Sequence, residues 1–485
     1  MSNPKSEGTN YLTYQSVEAN AFGSTIRIVG IQYECRSLLI NYYKILKHIK
    51  MEGKLPFFNL KKGNPFLLYD VYKSFYNLIM YKIDGLLNDN KKGGMRMKDF
   101  YADLHIHIGR TASGKPVKIT GSKTLTLHAI LQYASSQKGL DMIGVIDCHS
   151  PEVIGEIEEL LRRGEMIELT EGGLRFQDTT LLLGSEIEVY DTYCQGPIHV
   201  LAYLPTVGKM KDFSHWMNQH VKNITLSSQR IYVEGRVLQQ KVYEYDGLFV
   251  PAHVFTPFKS LYGKGVRRSL TEVFDPNYID AIELGLSSDT QMVRNIKELQ
   301  HYPFLTNSDA HSLGKMAREY QKLTLKDANF AELKKALRNE DGRAITANYG
   351  LNPLLGKYYQ TVCANCGERV IEAVTVCPTC ESHMFIKGVS TRIQELSDSN
   401  VSFVSRPPYI HQVPLDFIPG LGPKIFERLL QAFGTEMNIL HHVTKAQLLE
   451  VVPEKLAHLI DQARKGKLSI THGGGGKYGK VLDET

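Results

Sequence analysis

The residues best suited to chemistry are histidines and carboxylates that follow short apolar runs. His105 and His107 stand two apart, so on a β-strand both imidazoles lie on the same face and can share one metal. Taken alone, such a pair is as often structural as metal-binding. Similar residues follow the later apolar runs, namely Asp147, His149, Glu186, His199, His253, Asp309 and His311. Imidazoles and carboxylates together predict a centre for divalent ions such as zinc or manganese.

Divalent ions held close together would make this cluster a phosphoesterase centre. They lower the pKa of a bridging water, so that hydroxide forms near neutral pH, and they neutralise charge on the phosphate and the leaving oxygen. We therefore assign catalytic roles to His107, Glu186 and Asp309, and we expect Arg110 to hold a flanking phosphate. The structural alternatives are that a buried histidine only hydrogen-bonds a carbonyl group, or that a terminal aspartate only caps a helix.

The stretch around these residues, from about residue 97 to 352, alternates short apolar runs with longer amphipathic segments. Residues 142–146 form one such run, and the helical pattern of residues 152–163 follows it. Alternation of this kind indicates an α/β domain, and the ends of its strands are where an α/β barrel keeps its chemistry. The sequence therefore predicts an α/β domain whose strand ends meet at one site.

Four of the seven cysteines form two Cys-x-x-Cys pairs within residues 356–390. Ten residues separate the pairs, a spacing that lets two knuckles supply four thiolates to one tetrahedral zinc. A closed site of four thiolates has no open coordination position, so it supports folding or grips DNA and does not catalyse. We predict one structural zinc bound by Cys363, Cys366, Cys377 and Cys380.

A glycine-rich turn within residues 415–470 resembles the helix-hairpin-helix motif, and this resemblance implies an all-α DNA-binding domain. Its glycines flank Leu421, and a helical pattern follows from Pro423. Backbone N–H groups at such a helix start can approach a phosphate closely without contacting a base. The alternative for the turn is a purely structural role. A basic loop upstream, residues 262–268, is also expected to contact DNA, and the alternative is that its charges are only solvated. The residues expected to contact DNA in the turn and the loop are Gly420, Gly422, Lys424, Lys264, Arg267 and Arg268.

Residues 1–94 carry no cluster of histidines and acids that could do chemistry. Their last four residues, Lys-Lys-Gly-Gly, directly precede Met95 and lie close to Met97. The purine run of a bacterial ribosome-binding site would encode that tetrapeptide. We therefore hypothesise that residues 1–94 are a translated leader and that the native chain starts at Met95 or Met97. The alternative is an additional N-terminal domain.

Composition limits the class of protein. Hydrophobic residues make up 42% of the 485 residues and charged residues 22%, as in ordinary globular proteins. The net charge of +6 permits a polyanionic partner but does not establish one. We find no apolar run of membrane-spanning length and no secretion signal, so we expect a cytoplasmic protein. Residues 391–414 are polar and contain prolines, which indicates a linker, and residues 471–485 form a glycine-rich tail.

The histidine and acid cluster resembles the polymerase and histidinol phosphatase (PHP) family. That family's four motifs correspond to residues 103–107, 147–149, His199 and 308–311. The resemblance implies a distorted PHP-type (β/α)7 barrel that hydrolyses phosphate esters with two or three metal ions, which are zinc, manganese or magnesium. Because the second motif reads Asp-Cys-His instead of the family's Thr-Asp-His, its ligand is either Asp147 or His149. The implied ligand sets are His105, His107, Glu186 and Asp309 for one metal, Glu186, His199 and His253 for a second, and His149 and His311 for a third.

The order of the regions, a phosphoesterase domain, a four-cysteine zinc domain and a helix-hairpin-helix, resembles the endonuclease Q family of DNA repair nucleases. This resemblance covers residues 97–485. It implies cleavage on the 5′ side of deaminated bases, which are uracil, hypoxanthine and xanthine, or of abasic sites, with damaged DNA as the partner. Two alternatives remain. A PHP-family phosphatase of small phosphate monoesters explains only the barrel, and the nearly complete ligand set disfavours a non-catalytic DNA-binding protein.

Overall fold

The computed structural model describes residues 14–21, 24–31, 96–370 and 374–468. The chain divides into two units, Met1–Gly94 and Met95–Thr485. In the first unit, strands β1 (Tyr14–Ala21) and β2 (Ser24–Ile31) pair in antiparallel orientation. The other residues of this unit and the glycine-rich tail lie outside the described residues. The leader hypothesis for residues 1–94 therefore stays a prediction.

The second unit alternates strands with helices, and this confirms the α/β class. Its earlier strands are β3 (Lys98–Ile106), β4 (Met142–Val145), β5 (Ile167–Glu168), β6 (Leu174–Phe176), β7 (Thr179–Val189), β8 (Ile198–Leu204), β9 (Arg230–Ile231) and β10 (Leu248–Pro251). Its later strands are β11 (Ile282–Glu283), β12 (Phe304–Leu305), β13 (Tyr320–Leu325), β14 (Ala344–Gly350), β15 (Thr361–Cys363), β16 (Arg369–Val370), β17 (Phe385–Ile386) and β18 (Tyr409–His411).

The helices of this unit cover the sheet and then form the C-terminal region. The α-helices are α1 (Leu127–Tyr133), α2 (Pro151–Arg162), α3 (Val207–Asn218), α4 (Gly235–Glu244), α5 (Phe330–Leu337), α6 (Val389–Leu396), α7 (Pro423–Phe433), α8 (Glu436–His441), α9 (Lys445–Val451) and α10 (Glu454–Arg464). Short π turns are Ala134–Lys138 and Leu261–Gly265, and 3₁₀ turns are Leu270–Glu272, Pro276–Tyr278, Lys297–His301, Leu313–Lys315, Pro353–Leu355 and Leu415–Phe417. None of the described helices is both long and apolar enough to cross a membrane.

One mixed sheet organises the unit. Its main path runs β10-β8-β7-β4-β3-β13-β14-β18. Strands β3, β4 and β7 are parallel, whereas β8 and β13 run antiparallel to their neighbours. Strands β4 and β8 are buried along their whole length, because helices and neighbouring strands cover both faces of such a sheet. The apolar runs read from the sequence are therefore strands.

The barrel expected from the motifs is distorted, because the hydrogen-bonded pairing between its strands is interrupted on both sides of β11 and β12. Strand β11 pairs only with β12, in a separate parallel pair. Two backbone hydrogen bonds, Asp280 to Phe249 and Val254 to Glu283, connect this pair to the β10 region. On the other side, Ala310, which follows β12, forms an isolated parallel bridge with Ile106 of β3, so the described strands complete the ring only through isolated contacts and not through continuous ladders. The strand ends on this side nevertheless face the same edge of the sheet.

The C-terminal helices begin as the hairpin motif predicts. Helix α7 starts at Pro423, directly after the turn, and ends at Phe433; Gly434 follows it, with a φ of 82° that suits a residue without a side chain. The predicted helix is confirmed. The element before the turn is only a 3₁₀ turn, Leu415–Phe417, and α8, α9 and α10 complete the helical unit.

The segment expected to be a linker, residues 391–414, carries secondary structure. Most of α6 lies in it, and β18 pairs in parallel with β14 through Asn348 and Tyr409. An edge strand such as β14 exposes unpaired backbone groups, and β18 satisfies them. The polar, proline-containing composition gives no sign of this pairing, because an edge strand does not need an apolar pattern.

A buried ion pair joins the sheet domain to the C-terminal helices. The Nζ of Lys138 lies 2.7 Å from Oε1 of Glu436, and the two side chains are only 6% and 7% exposed. Gly139 follows with a φ of 72°, and an added Cβ there would lie 2.3 Å from Oγ1 of Thr435. The two regions therefore meet closely at this point.

Removing one partner of this pair should loosen the C-terminal helices. Lys138→Met leaves the Glu436 carboxylate buried without its cation, and we expect the opening free energy of α8 to fall by about 3 kcal/mol. Native-state hydrogen exchange of the α8 amides measures this change. The double variant Lys138→Met/Glu436→Met should recover most of the loss, and the exposed Lys445→Met variant is the control. A double variant as unstable as the single one would contradict the role of the pair.

Candidate metal centre

Two groups of candidate ligands meet at the edge of the sheet. One consists of His105, His107 and Asp309, and the other of Glu186, His199 and His253. In each group the ligand atoms lie within 4.8 Å of one another. The Glu186 carboxylate lies between the groups, with Oε1 2.9 Å from Nδ1 of His199 and Oε2 3.5 Å from Nε2 of His107. Ligands of one tetrahedral ion lie about 3.4 Å apart, so these spacings suit bound metals.

Several imidazole nitrogens at this place have no protein partner. The Nε2 atoms of His105, His107 and His199 are buried and lack a hydrogen-bond partner within the described part of the chain. Buried polar atoms are almost always hydrogen-bonded, so three such nitrogens in one place require an explanation. Imidazole nitrogens aimed at carboxylates fit divalent metal ions, which would take these lone pairs.

Acidic residues behind the cluster orient its imidazoles. Oε1 of Glu283 lies 2.9 Å from Nδ1 of His105, and Oδ2 of Asp147 lies 3.1 Å from Nδ1 of His107. Glu283 also accepts from the backbone N–H of His253, at 2.8 Å. A carboxylate on one nitrogen fixes the ring and its proton, so that the other nitrogen faces the metal. Asp147 therefore orients His107 through its Nδ1 atom and belongs to neither ligand group.

The surroundings of the cluster shift the pKa values of its two β3-end histidines in opposite directions. Burial opposes a proton on His105, but Glu283 and Asp309 raise its pKa well above the usual value. Burial, assisted by Lys118, lowers the pKa of His107 to about 4. A metal must displace the proton from the Nε2 of His105, so we expect metal binding to release protons.

Two ligands occupy strained backbone positions. His253 has a φ of 30° and Asp309 a φ of 46°, both in the left-handed region that favours glycine. Gly285 makes room for one of them, since an added Cβ would lie 2.9 Å from Cβ of His253. The buried Asp103 accepts two backbone hydrogen bonds from residues 308 and 317, and Arg318 donates to the carbonyl of residue 308 at 2.7 Å. These bonds hold the loop that carries Asp309.

Three other predicted residues lie outside the two ligand groups. His149 is buried with Nδ1 2.8 Å from the hydroxyl of Ser185, which lies on the neighbouring strand. His311 lies beside the first group, with Nε2 3.3 Å from Oδ1 of Asp309. The two histidines implied for a third metal thus have different surroundings. Arg110 donates to the carbonyl of Gly114 within its own loop, at 2.7 Å.

Sequence reasoning missed Lys118. Its ammonium lies 2.9 Å from Oε2 of Glu186 and 2.6 Å from Oγ of Ser228. Although burial opposes it, the Glu186 carboxylate raises the pKa of Lys118, so the ammonium stays charged. No spacing distinguishes this lysine in the sequence. Glu283 was also missed, but it follows an apolar pair at a strand end as the other acids do, and that signal was available.

A cavity of about 450 Å³ opens beside the first ligand group. Its lining combines the candidate ligands His253 and Asp309 with cationic side chains from two later segments. Those cations are Lys315, Arg318 and Lys357. Such a lining suits an anionic ligand that reaches the metals. Tyr358 adds an aromatic side chain to the same wall.

The four cysteines form the compact group that their spacing predicted. Sγ of Cys363 lies 3.5 Å from that of Cys380, and Sγ of Cys366 lies 3.6 Å from that of Cys377. A disulfide would bring the sulfurs to about 2.05 Å, whereas four thiolates on one zinc lie about 3.8 Å apart. Backbone N–H of Cys366 helps to lower the pKa of Cys363 to about 6, so a thiolate is available.

The residues predicted to contact DNA lie at the surface, but Arg268 is engaged in an ion pair within the protein. Gly420, Gly422 and Lys424 are exposed at the start of α7. In the basic loop, Arg268 pairs with Asp398 at 2.7 Å, and this contact ties the loop to the segment after α6. Arg392 of α6 also donates to the carbonyl groups of residues 262, 266 and 267. The segment that follows the zinc domain is thus connected to the basic loop.

Loss of one thiolate should release the structural zinc. We expect Cys377→Ser to remove one zinc equivalent, because the buried sulfur cannot be replaced by a neighbouring donor. Metal analysis of the purified protein measures this, and the absorption of a cobalt-substituted sample identifies thiolate ligands. Cys194→Ser lies outside the group and serves as the control. Unchanged metal content in the Cys377 variant would contradict the assignment.

Known proteins resemble this chain over much of its length. Uncharacterized protein YqxK of Bacillus subtilis is 59% identical over 385 residues, which are 79% of this chain and all of that protein. Uncharacterized protein MJ0043 of Methanocaldococcus jannaschii is 36% identical over 282 residues, which are 52% of this chain and 34% of that protein. No family model matches the chain.

Two solved structures share the fold. The lesion-specific endonuclease PfuEndoQ from Pyrococcus furiosus is 31% identical, with a TM-score of 0.68, and the match covers 79% of this chain and 95% of that one. Endonuclease Q in complex with a 27-mer duplex substrate, with an abasic lesion at the active site, is also 31% identical with a TM-score of 0.68, and the match covers 80% and 97% of the two chains. The chain therefore belongs to the endonuclease Q family of metal-dependent DNA-cleaving hydrolases.

Proposed function

We propose that this protein is a DNA repair endonuclease that hydrolyses a phosphodiester on the 5′ side of a damaged nucleotide. The observation that carries the proposal is Glu186, whose carboxylate lies between two groups of buried ligands with unpaired imidazole nitrogens. An endonuclease Q relative binds a duplex with an abasic lesion at its active site, which supports the same substrate here. The damaged nucleotides would be abasic sites and the deaminated bases uracil, hypoxanthine and xanthine.

The chain's own residues would hold and position the reacting groups. His105, His107, Asp309 and Glu186 would bind one divalent ion, and Glu186, His199 and His253 a second. Bound ions would supply hydroxide and neutralise the phosphate. Lys118 adds a fixed positive charge at Oε2 of Glu186, close to the reacting phosphate. The cationic cavity wall would hold a flanking phosphate.

The exposed surfaces would place DNA on this centre. The hairpin turn at Gly420 and Gly422 offers backbone N–H groups to phosphates without reading the sequence. Lys264 and Arg267 of the basic loop would add contacts, whereas Arg268 has a structural partner. Recognition of a lesion would require the damaged nucleotide to leave the helix, because a stacked base hides its reacting groups.

The lesion preference is tested by a panel of labelled duplexes that contain an abasic site, uracil, hypoxanthine, xanthine or normal bases. We expect a nick 5′ of the damaged nucleotides with Mg²⁺, Mn²⁺ or Zn²⁺ present. Asp309→Ala should abolish nicking but keep DNA binding, because it removes a ligand shared with the imidazoles. The exposed Asp212→Ala variant is the control. Hydrolysis of a small phosphate monoester without any nicking would overturn the proposal.

Lys118 should contribute to rate more than to metal binding. Lys118→Met removes the ammonium beside Glu186, and we expect the nicking rate to fall about 100-fold. Single-turnover nicking measures the rate, and metal analysis should show unchanged content. Lys118→Arg should restore part of the rate, and the exposed Lys123→Met variant is the control. Loss of metal in the Met variant would show that the lysine only supports the site.

A further inference from the structure

A surface beside the metal centre, which the cleavage step does not use, is rich in exposed aromatic rings and cations. We call it the tyrosine platform, and its residues are Tyr190, Tyr193, Lys222, Arg230, Tyr232 and Arg236. The three rings are 37%, 46% and 51% exposed, in chain order. Large aromatic side chains left at the surface often mark a binding site.

The rings and cations of the platform are stacked in a fixed arrangement. The guanidinium of Arg230 lies over the ring of Tyr190, at 4.6 Å from its centre, and over that of Tyr232, at 5.3 Å. Arg230 also donates to the carbonyl of Tyr190. Strand β9, which carries Arg230, pairs with Glu188 of β7. The stack is therefore held by backbone pairing as well as by cation–π contacts.

The platform directly adjoins the metal centre. Ser228 stands two residues before Arg230, and its hydroxyl donates to Oε2 of Glu186. Two extended residues span at most about 7 Å, so the stack begins within a short distance of the ligands. The segment after Tyr193 also touches the basic loop, since the N–H of Gln195 donates to the carbonyl of Gly265 at 2.8 Å.

The charge of the platform suits a polyanion. Its cations Lys222, Arg230 and Arg236 are all exposed. Of the carboxylates in residues 188–193 and 222–236, that of Glu188 pairs with Lys259 at 2.8 Å, and that of Asp191 accepts from backbone N–H groups. Only Glu234 is an exposed carboxylate in these two segments. With Lys259 counted, four cations stand against the carboxylates of Glu188, Asp191 and Glu234, so the local net charge is +1.

We propose that the tyrosine platform binds unpaired nucleotides of the substrate DNA beside the cleaved phosphodiester, an inference that rests on the proposed function. Phosphate binding alone needs only cations, whereas flat exposed rings add base stacking. Paired bases hide their faces within the helix, so only unpaired nucleotides can stack on the tyrosines. A damaged nucleotide that leaves the helix is itself unpaired and leaves the base opposite it unpaired.

The test compares binding to a short, lesion-free, fluorescein-labelled thymidine strand with binding to a duplex of the same length. We expect Tyr190→Ala/Tyr232→Ala in the metal-loaded, full-length protein to weaken strand binding more than about ten-fold, with less than about two-fold change for the duplex. Tyr190→Phe/Tyr232→Phe should bind like the wild type, because the rings remain. Tyr243→Ala is the control, since that ring is 64% exposed but contacts Tyr278.

The other outcomes overturn the inference. Equal losses for strand and duplex would make the surface a general phosphate-binding face, and unchanged affinities would exclude nucleic acid from it. Unchanged melting temperatures of the variants establish that folding is intact. Nicking of an abasic duplex by the same wild-type preparation tests the proposed function separately. Absence of that nicking rejects the function, whereas retained strand affinity in the Ala variant rejects only the platform.

Discussion

The protein must keep one carboxylate, that of Glu186, buried among imidazoles and an ammonium group. A buried charge is tolerated only when opposite charges and hydrogen bonds surround it. Lys118 supplies one such partner, and metal ions bound by the unpaired nitrogens of His105 and His107 would supply others. The lysine and the metals thus balance the same carboxylate, and every neighbouring element must hold its side chain to that geometry.

The fold meets this demand by placing rigid partners behind each ligand. Glu283 fixes the imidazole of His105 and Asp147 that of His107, at the end of β3. Asp103 and Arg318 fix the loop of Asp309. Because these residues come from different strand ends, the centre exists only when the whole sheet has formed. The strained backbone at Asp309 is tolerated for the same reason, since several bonds determine its position.

Much of the centre could be predicted from residue types, because imidazoles and acids at successive strand ends have few other uses. That logic found the members of both ligand groups. It could not decide between Asp147 and His149, since their roles depend on whether a neighbour such as His107 or Ser185 takes their hydrogen bonds. Lys118 carried no pattern at all. Strand β18 was missed because edge pairing depends on backbone groups, which composition does not reveal.

The buried contact between Lys138 and Glu436 and the pairing of β18 with β14 fix the C-terminal helices to the sheet. The hairpin at Gly420 and the metal centre therefore belong to the same compact unit. If DNA is bound at both places, as proposed, this unit would set a fixed distance between the two contacts. The number of nucleotides between the gripped phosphates and the nick would then be constant, whatever the lesion.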